Sequence, residues 1–312
     1  MKLSKLIYFA VGITLLPYSS GLAEESAENS PAESAATFHS RVASTVVLEP
    51  GAPVLKTNPC TSPEIQPNSA SPTWDTPAET TPCGALETDN LVIAQPLGDG
   101  IHQEMIVSTA KYGLTPHLEI RWGLPGHLMQ SGGGTRRLNG TTDQWLGVCY
   151  RFRDQGRWMP DLALDYAIKI PTANPAKGFG TGYVDHNLTF IASRDLGQTH
   201  IDFNAVGTIA GGSRGEDGSP QFGMALTRPV NSRLLWTLEA YGGPQPGTSD
   251  RYGAVLAGGA WNLRPWFTLN SAYVQVYTAG SPRRQYLFGV IYTMRPAFAP
   301  PGSSRLGRFL RR

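Results

Sequence analysis

From about residue 85 onward, apolar and polar residues alternate with period two over segments of roughly ten residues. The clearest is Asp161–Ile170. Leu162, Leu164, Tyr166, Ile168 and Ile170 share one face, while Asp161, Ala163, Asp165, Ala167 and Lys169 share the other. One such strand also suits a soluble sandwich with polar residues outside, so number and spacing carry the argument. The pattern predicts strands near 86–96, 102–112, 117–125, 144–153, 159–171, 183–195, 199–210, 220–229, 233–243, 250–262, 266–277 and 284–294. From the third strand onward the connections alternate. Residues 126–143, 172–182, 211–219, 244–249 and 278–283 are long or glycine-rich loops. Between them come tight turns at Asp154–Trp158, Leu196–Gln198, Val230–Ser232 and Leu263–Pro265. Long loops at one end and short turns at the other predict an all-β, antiparallel transmembrane β-barrel of about twelve strands, of the outer-membrane type.

That polarity puts the mature N-terminus in the periplasm and the long loops outside. Trp122, Phe222, Tyr252, Tyr277 and Tyr286 are then expected on outward faces near the outer end. Phe152, Trp158, Phe267 and Tyr292 fall near the periplasmic end. Two aromatic belts are what a spanning barrel places at its interfaces.

The flanks read differently. Residues 1–23 form a signal peptide: Lys2 and Lys5, an apolar run Leu6–Leu16, then Gly21-Leu22-Ala23 as the cleavage site. Residues 24–84 hold nine prolines among Ser, Thr, Ala and Glu, and cannot bury enough apolar surface to offset ordering entropy. They are expected as a disordered periplasmic linker, with a plug inside the barrel as the alternative. The barrel itself spans 85–295. Its last strand ends Gly289-Val290-Ile291-Tyr292-Thr293-Met294, resembling the signal that barrel-assembly machinery recognises during biogenesis. An arginine-rich tail, 296–312, follows and is expected to be disordered.

Composition narrows the function classes. A net charge of +2 gives no push towards nucleic acid. Mean hydropathy of −0.22 excludes a helical membrane protein but not a barrel, whose alternating faces average out as polar. Of three cysteines, Cys60 and Cys83 are free to pair outside the cytoplasm, and Cys149 lies in a predicted strand without an evident partner. An odd count without CxxC or Cys/His spacing argues against a zinc site.

A succession of phrases carries a family resemblance. They are Lys111-Tyr112-Gly113-Leu114-Thr115-Pro116-His117-Leu118-Glu119-Ile120-Arg121, Leu162–Lys169 running into Ile170-Pro171-Thr172, and Gly178-Phe179-Gly180-Thr181-Gly182. Then come Ser193-Arg194-Asp195-Leu196-Gly197, His200-Ile201-Asp202-Phe203-Asn204, and Leu226-Thr227-Arg228-Pro229-Val230 leading to Glu239-Ala240-Tyr241-Gly242. In their order and spacing across 85–296 they resemble the outer-membrane transporter family named for the MetA-pathway of phenol degradation. The resemblance implies a bacterial outer-membrane channel or transporter admitting or binding small, aromatic or hydrophobic solutes. It carries over no catalytic residue.

If apolar faces meet lipid, the opposite faces line the lumen. They contribute Glu119, Arg121, Arg151, Asp161, Asp165, Lys169, Asp185, Asn187, Asp202, Asn204 and Glu239. Lys169 and Asp185 are expected opposite one another. These groups either define a solute path or form a satisfied network that fills a narrow barrel. Catalytic templates fail. His102 is followed by Gln103-Glu104-Met105, not the His-x-Ser-Asn-Gly type of outer-membrane phospholipases; His186 falls on the lipid face; Gly178–Gly182 has no helix behind it to make a phosphate site. The expectation is therefore a non-enzymatic channel with outer-membrane lipid and a small solute as partners, no cofactor and no metal. A non-conducting structural or binding barrel is the alternative.

Overall fold

The computed structural model describes Cys60 and residues 71–98, 100–132, 137–177, 179–211, 220–244, 251–278 and 283–295. The expected signal peptide (1–23) and basic tail (296–312) lie outside the described residues. Fourteen antiparallel strand segments occupy them: β1 (Leu86–Gly98), β2 (Ile101–Thr115), β3 (Leu118–Gly123), β4 (His127–Gly132), β5 (Leu138–Thr141), β6 (Gln144–Arg153), β7 (Asp161–Ile170), β8 (Asp185–Leu196), β9 (Thr199–Ile209), β10 (Gln221–Pro229), β11 (Leu234–Pro244), β12 (Arg251–Arg264), β13 (Phe267–Thr278) and β14 (Arg283–Met294). Neighbours pair in sequence, and β1 pairs with both β2 and β14, which closes the sheet. The result is a closed twelve-strand barrel, because β3 with β4 and β5 with β6 are each one wall strand interrupted once. Closure leaves no open edge, as the hydrocarbon of a bilayer demands of a spanning sheet.

The expected loop at 126–143 is corrected. It contains β4 and β5, which extend the wall beyond the end of β7. The glycines of this stretch read as a loop, but the first half of β2 needs a partner, and β4 supplies it from Ile101↔Gly132 to Ile106↔His127. The interruption falls at Leu124-Pro125-Gly126, where Pro125 has no N–H to give the ladder.

The faces separate cleanly along most strands. On β7, Asp161, Ala163, Asp165 and Lys169 are buried while Leu164 and Tyr166 are exposed. Lys169 pairs in register with Asp185. Trp122, Phe222, Tyr277 and Tyr286 are exposed at the long-loop end; Phe152, Trp158 and Tyr292 are exposed at the short-turn end, where Trp266, Phe267 and Tyr292 cluster with ring centroids 5.0–5.9 Å apart. Tyr252 is the exception and a correction. Its ring lies inside, against Tyr241, because inward positions on β12 are the even ones, as buried Ala254 and Leu256 show.

The reading of 24–84 as a disordered periplasmic segment is also corrected in part. Residues 71–84 are ordered, and their backbone is bonded to inward-facing side chains of the barrel. Apolar burial was the wrong measure for this stretch: side chains of the wall, not a core of its own, hold it.

Two outcomes test the face assignment. Unboiled protein should migrate differently from boiled protein on a denaturing gel. Leu164→Arg, which puts a charge worth about 2–4 kcal/mol against hydrocarbon, should block assembly into that heat-modifiable form. Ala163→Arg, whose charge crowds the interior segment but does not meet hydrocarbon, should impair assembly much less than Leu164→Arg.

Candidate functional site: an occluded lumen

The interior segment is anchored on the short-turn rim, where Cys60 and Cys83 meet. Cys60 and Cys83 form a disulfide. Arg295 Nη1 donates to both of their carbonyl oxygens, at 3.3 and 3.2 Å. Cys83 bridges to Gly113, and Gly84 N donates to Gly113 O at 2.7 Å. A Cβ on Gly113 would sit 2.2 Å from Thr81 O, so only glycine lets the two backbones approach.

From this anchor the chain crosses the lumen, and the wall reads its backbone amides one after another. Thr81 N donates to Glu119 Oε2 (2.5 Å), Ala78 N to Ser193 Oγ (2.7 Å) and Thr76 N to Asn204 Oδ1 (3.0 Å), whose Nδ2 donates back to Thr76 O (2.9 Å). Asp75 N and Trp74 N both donate to the Glu239 carboxylate, at 2.6 and 2.9 Å. Ser71 Oγ donates to Asp89 Oδ2. Between these rungs Ala78 packs on Ala163, Cys149 and Ile191. Five backbone amides, three of them on carboxylates, thus find partners on the wall, and these bonds take the place of the apolar burial that a proline-rich stretch lacks.

The remaining expected lumen residues form paired clusters on β3 and β6–β9. Arg121 bonds Glu119 and Asp165, each at 2.5 Å. Arg151 lies 3.7 Å from Asp161 and 3.2 Å from Asp154. Lys169, fully buried, is ion-paired with Asp185 and lies 3.7 Å from Asp143. Asp202 accepts from Ser193 Oγ and faces His200, whose other ring nitrogen faces Asp195. Asn187 lines a cavity of about 150 Å³ beside the segment, together with Trp74, Trp145, Arg121, Asp165 and Gln221. Among the described residues no group of three or more His, Cys, Asp or Glu could hold a metal ion.

Sequence reasoning missed two sets of groups. Glu87 with Lys111 (3.3 Å), Asp89, Asp143, Ser193 and His200 also face inward. Their alternation was visible, but they sit beside less regular partners. The larger omission is apolar. Leu91, Ile93, Leu256, Val274, Val276 and Leu287 are all buried on inward faces of β1 and β12–β14, in the half nearer the long loops, with Met105, Val107 and Tyr252 packed against them. Trp74 of the crossing segment stacks on Tyr241 at 5.4 Å and 12°. The interior is therefore two-sided, charged on one wall and apolar on the other.

The fold is that of outer-membrane β-barrels of known structure. The COG4313 outer membrane channel from Pseudomonas putida F1 superposes with a TM-score of 0.51 at 14% identity, over 70% of this chain and 98% of that one. The NanC porin (TM-score 0.44, 10% identity) and the KdgM porin in complex with disordered oligogalacturonate (0.43, 8%) each match over 66% of this chain and 98% of their own. No family model matches the chain, and no curated relative does.

Two carboxyls of the segment set its response to pH. Burial, then the nearby Glu239 and Asp202, push Asp75 up to about 10. Burial raises Glu79 to about 7 against the opposing pull of His200. Both are raised on docking, so docking takes up protons. The favourable contribution is complete below the ordinary carboxylate range near pH ~4 and fades as pH rises through about 7 and then about 10. Protease cleavage within 71–82, followed by mass spectrometry, should therefore increase from about pH 5 to about pH 9. Asp75→Asn should remove the rise above about pH 8.

Proposed function

We propose that the chain is an outer-membrane channel for small aromatic or hydrophobic solutes, as its likeness to the phenol-degradation transporter family suggests, with residues 71–84 as its internal stopper. The apolar inner wall carries this reading. A path for hydrophilic solutes has no use for Leu256, Val274 and Leu287 on its inner face, since each apolar side chain there forgoes a favourable contact with the passing solute's hydration. An apolar solute gains about 25 cal/mol for each Å² it removes from water against such a wall. The opposite wall, with its ion pairs, supplies the polar contacts that hold the stopper.

The stopper also gives the non-conducting alternative a specific basis, and one pair of experiments separates the two. Ser193→Ala with Asn204→Ala removes two rungs from the docked segment without altering a wall charge. In proteoliposomes this double variant should pass toluene at least about threefold faster than the parent, and adding Val274→Glu should cancel that gain, because a buried charge on the apolar wall repels the solute. Unchanged flux in the double variant, with the segment shown to be released by proteolysis, would leave a structural barrel as the function.

A further inference from the structure

The docked residues Trp74 and Asp75 occupy one place on the wall as a ligand would. The Trp74 ring lies flat on Tyr241 at 5.4 Å, with Tyr252 edge-on to Tyr241 at 6.3 Å. The adjoining N–H groups of Trp74 and Asp75 both point at the Glu239 carboxylate. The Asp75 carboxyl fills the recess over Gly223, where a Cβ would fall 2.2 Å from its Oδ1. An aromatic plate beside two donors on one carboxylate is the outline of an arylalkyl ammonium.

The charges at this place are not balanced by the docked segment. Asp75 is fully buried, and neither of its carboxyl oxygens has a hydrogen-bond partner among the described residues; the Tyr241 hydroxyl, also buried, has none either. No Lys, Arg or His among the described residues forms an ion pair with Glu239 or Asp75. Docking thus sets a second acid beside Glu239, which burial keeps protonated at the cost of a proton taken from solution. A cation in the same recess would meet Glu239 directly, and its charge would also lie against the faces of Tyr241 and Tyr252.

We propose that the recess over Gly223, walled by Glu239, Tyr241 and Tyr252, is a binding site for arylalkyl ammonium solutes, and that Trp74–Asp75 is its built-in competitor. The inference rests on the channel reading above and names a solute class within it. Displacement of the segment by such a solute exchanges two amide donors for an ammonium and relieves the acid pair, so solute binding and opening of the lumen are one event.

Three probes with one carbon skeleton test this on the full chain in detergent by calorimetry: 2-phenylethylamine, ethylbenzene and phenylacetate. The amine should bind at least about tenfold tighter than ethylbenzene, with phenylacetate weakest. Glu239→Gln should bring amine and ethylbenzene to within about twofold of each other, while Trp74→Ala with Asp75→Ala should strengthen amine binding about fivefold by removing the competitor. Heat-modifiable migration verifies that each variant is folded. Should Glu239→Gln not assemble, Tyr241→Phe serves instead and should weaken the amine about threefold without affecting ethylbenzene. An amine that binds no tighter than ethylbenzene, or a preference that survives loss of the Glu239 charge, overturns the site. Ethylbenzene that binds and permeates without amine preference sinks only this inference; if ethylbenzene also fails to bind and permeate, the channel reading falls with it.

Discussion

Every backbone N–H and C=O that enters the barrel must find a partner, and the whole arrangement follows from the different ways this is done at different depths. In the wall the strands pair with one another all the way round, and a closed ladder is the only sheet that leaves nothing unpaired in hydrocarbon. In the lumen the segment 71–84 has no strand to pair with over most of its length. Its amides are taken by side chains instead: Glu119, Ser193, Asn204 and Glu239, from four different strands. Inward polar residues are thus not spare groups in a channel but the second half of the segment's hydrogen bonding. Moving the segment leaves both halves unsatisfied until solute or water replaces them, which is why displacement should be coupled to what arrives.

The barrel was legible because lipid imposes a hard rule with period two. Asp161–Ile170 obeys it without exception, and its register against β8 follows the hydropathy pattern, Lys169 opposite Asp185. Where the rule weakens, reading failed for identifiable reasons. Along β4 and β5 the strands are short and glycine-rich, and turn chemistry masks the alternation. At Tyr252 an aromatic near the outer rim suggested the interface belt, yet parity along β12 turns it inward. Period was the better guide than residue type.

The stopper was hidden for a deeper reason. A segment held mainly by its backbone amides carries little signature of its own; Ser71, Trp74 and Asp75 also meet the wall through their side chains, but scattered among prolines and threonines they read as parts of a linker. The signal lay elsewhere, in an inward face richer in carboxylates than cations could match. Glu239 and Asn204 were visible as lumen residues, but nothing in a wall strand tells what their acceptor atoms hold. Cys60 and Cys83 hinted that this stretch was closed on itself, and the disulfide with the Arg295 contacts fixes both ends of that loop to one point on the rim.

The apolar inner wall shows how hydropathy can mislead about which side is which. In the second half of β13, inward Ala272, Val274 and Val276 are buried, while outward Tyr273, Gln275 and Tyr277 carry polar atoms. Average hydropathy would turn this strand inside out. Its pairing forbids that, since Ala272 lies opposite Leu287 and Val274 opposite Leu256, all of them buried. On the outside the polar atoms are satisfied locally, the Tyr273 hydroxyl donating to Gln275 Oε1 at 3.1 Å, while Tyr277 lies near the end of the strand, where an aromatic with a polar tip is favoured. The inside of this half of the strand is aliphatic, while Thr268 and Asn270 face inward in the other half. Charge is sorted by a similar logic. Acids crowd the interior, whereas Arg153, Arg157, Arg228, Arg233 and Arg264 are exposed around the short-turn rim. Among the described residues the charges are therefore sorted into an acidic inside and a basic edge, and a wall with that excess of acid sets a negative potential along the lumen.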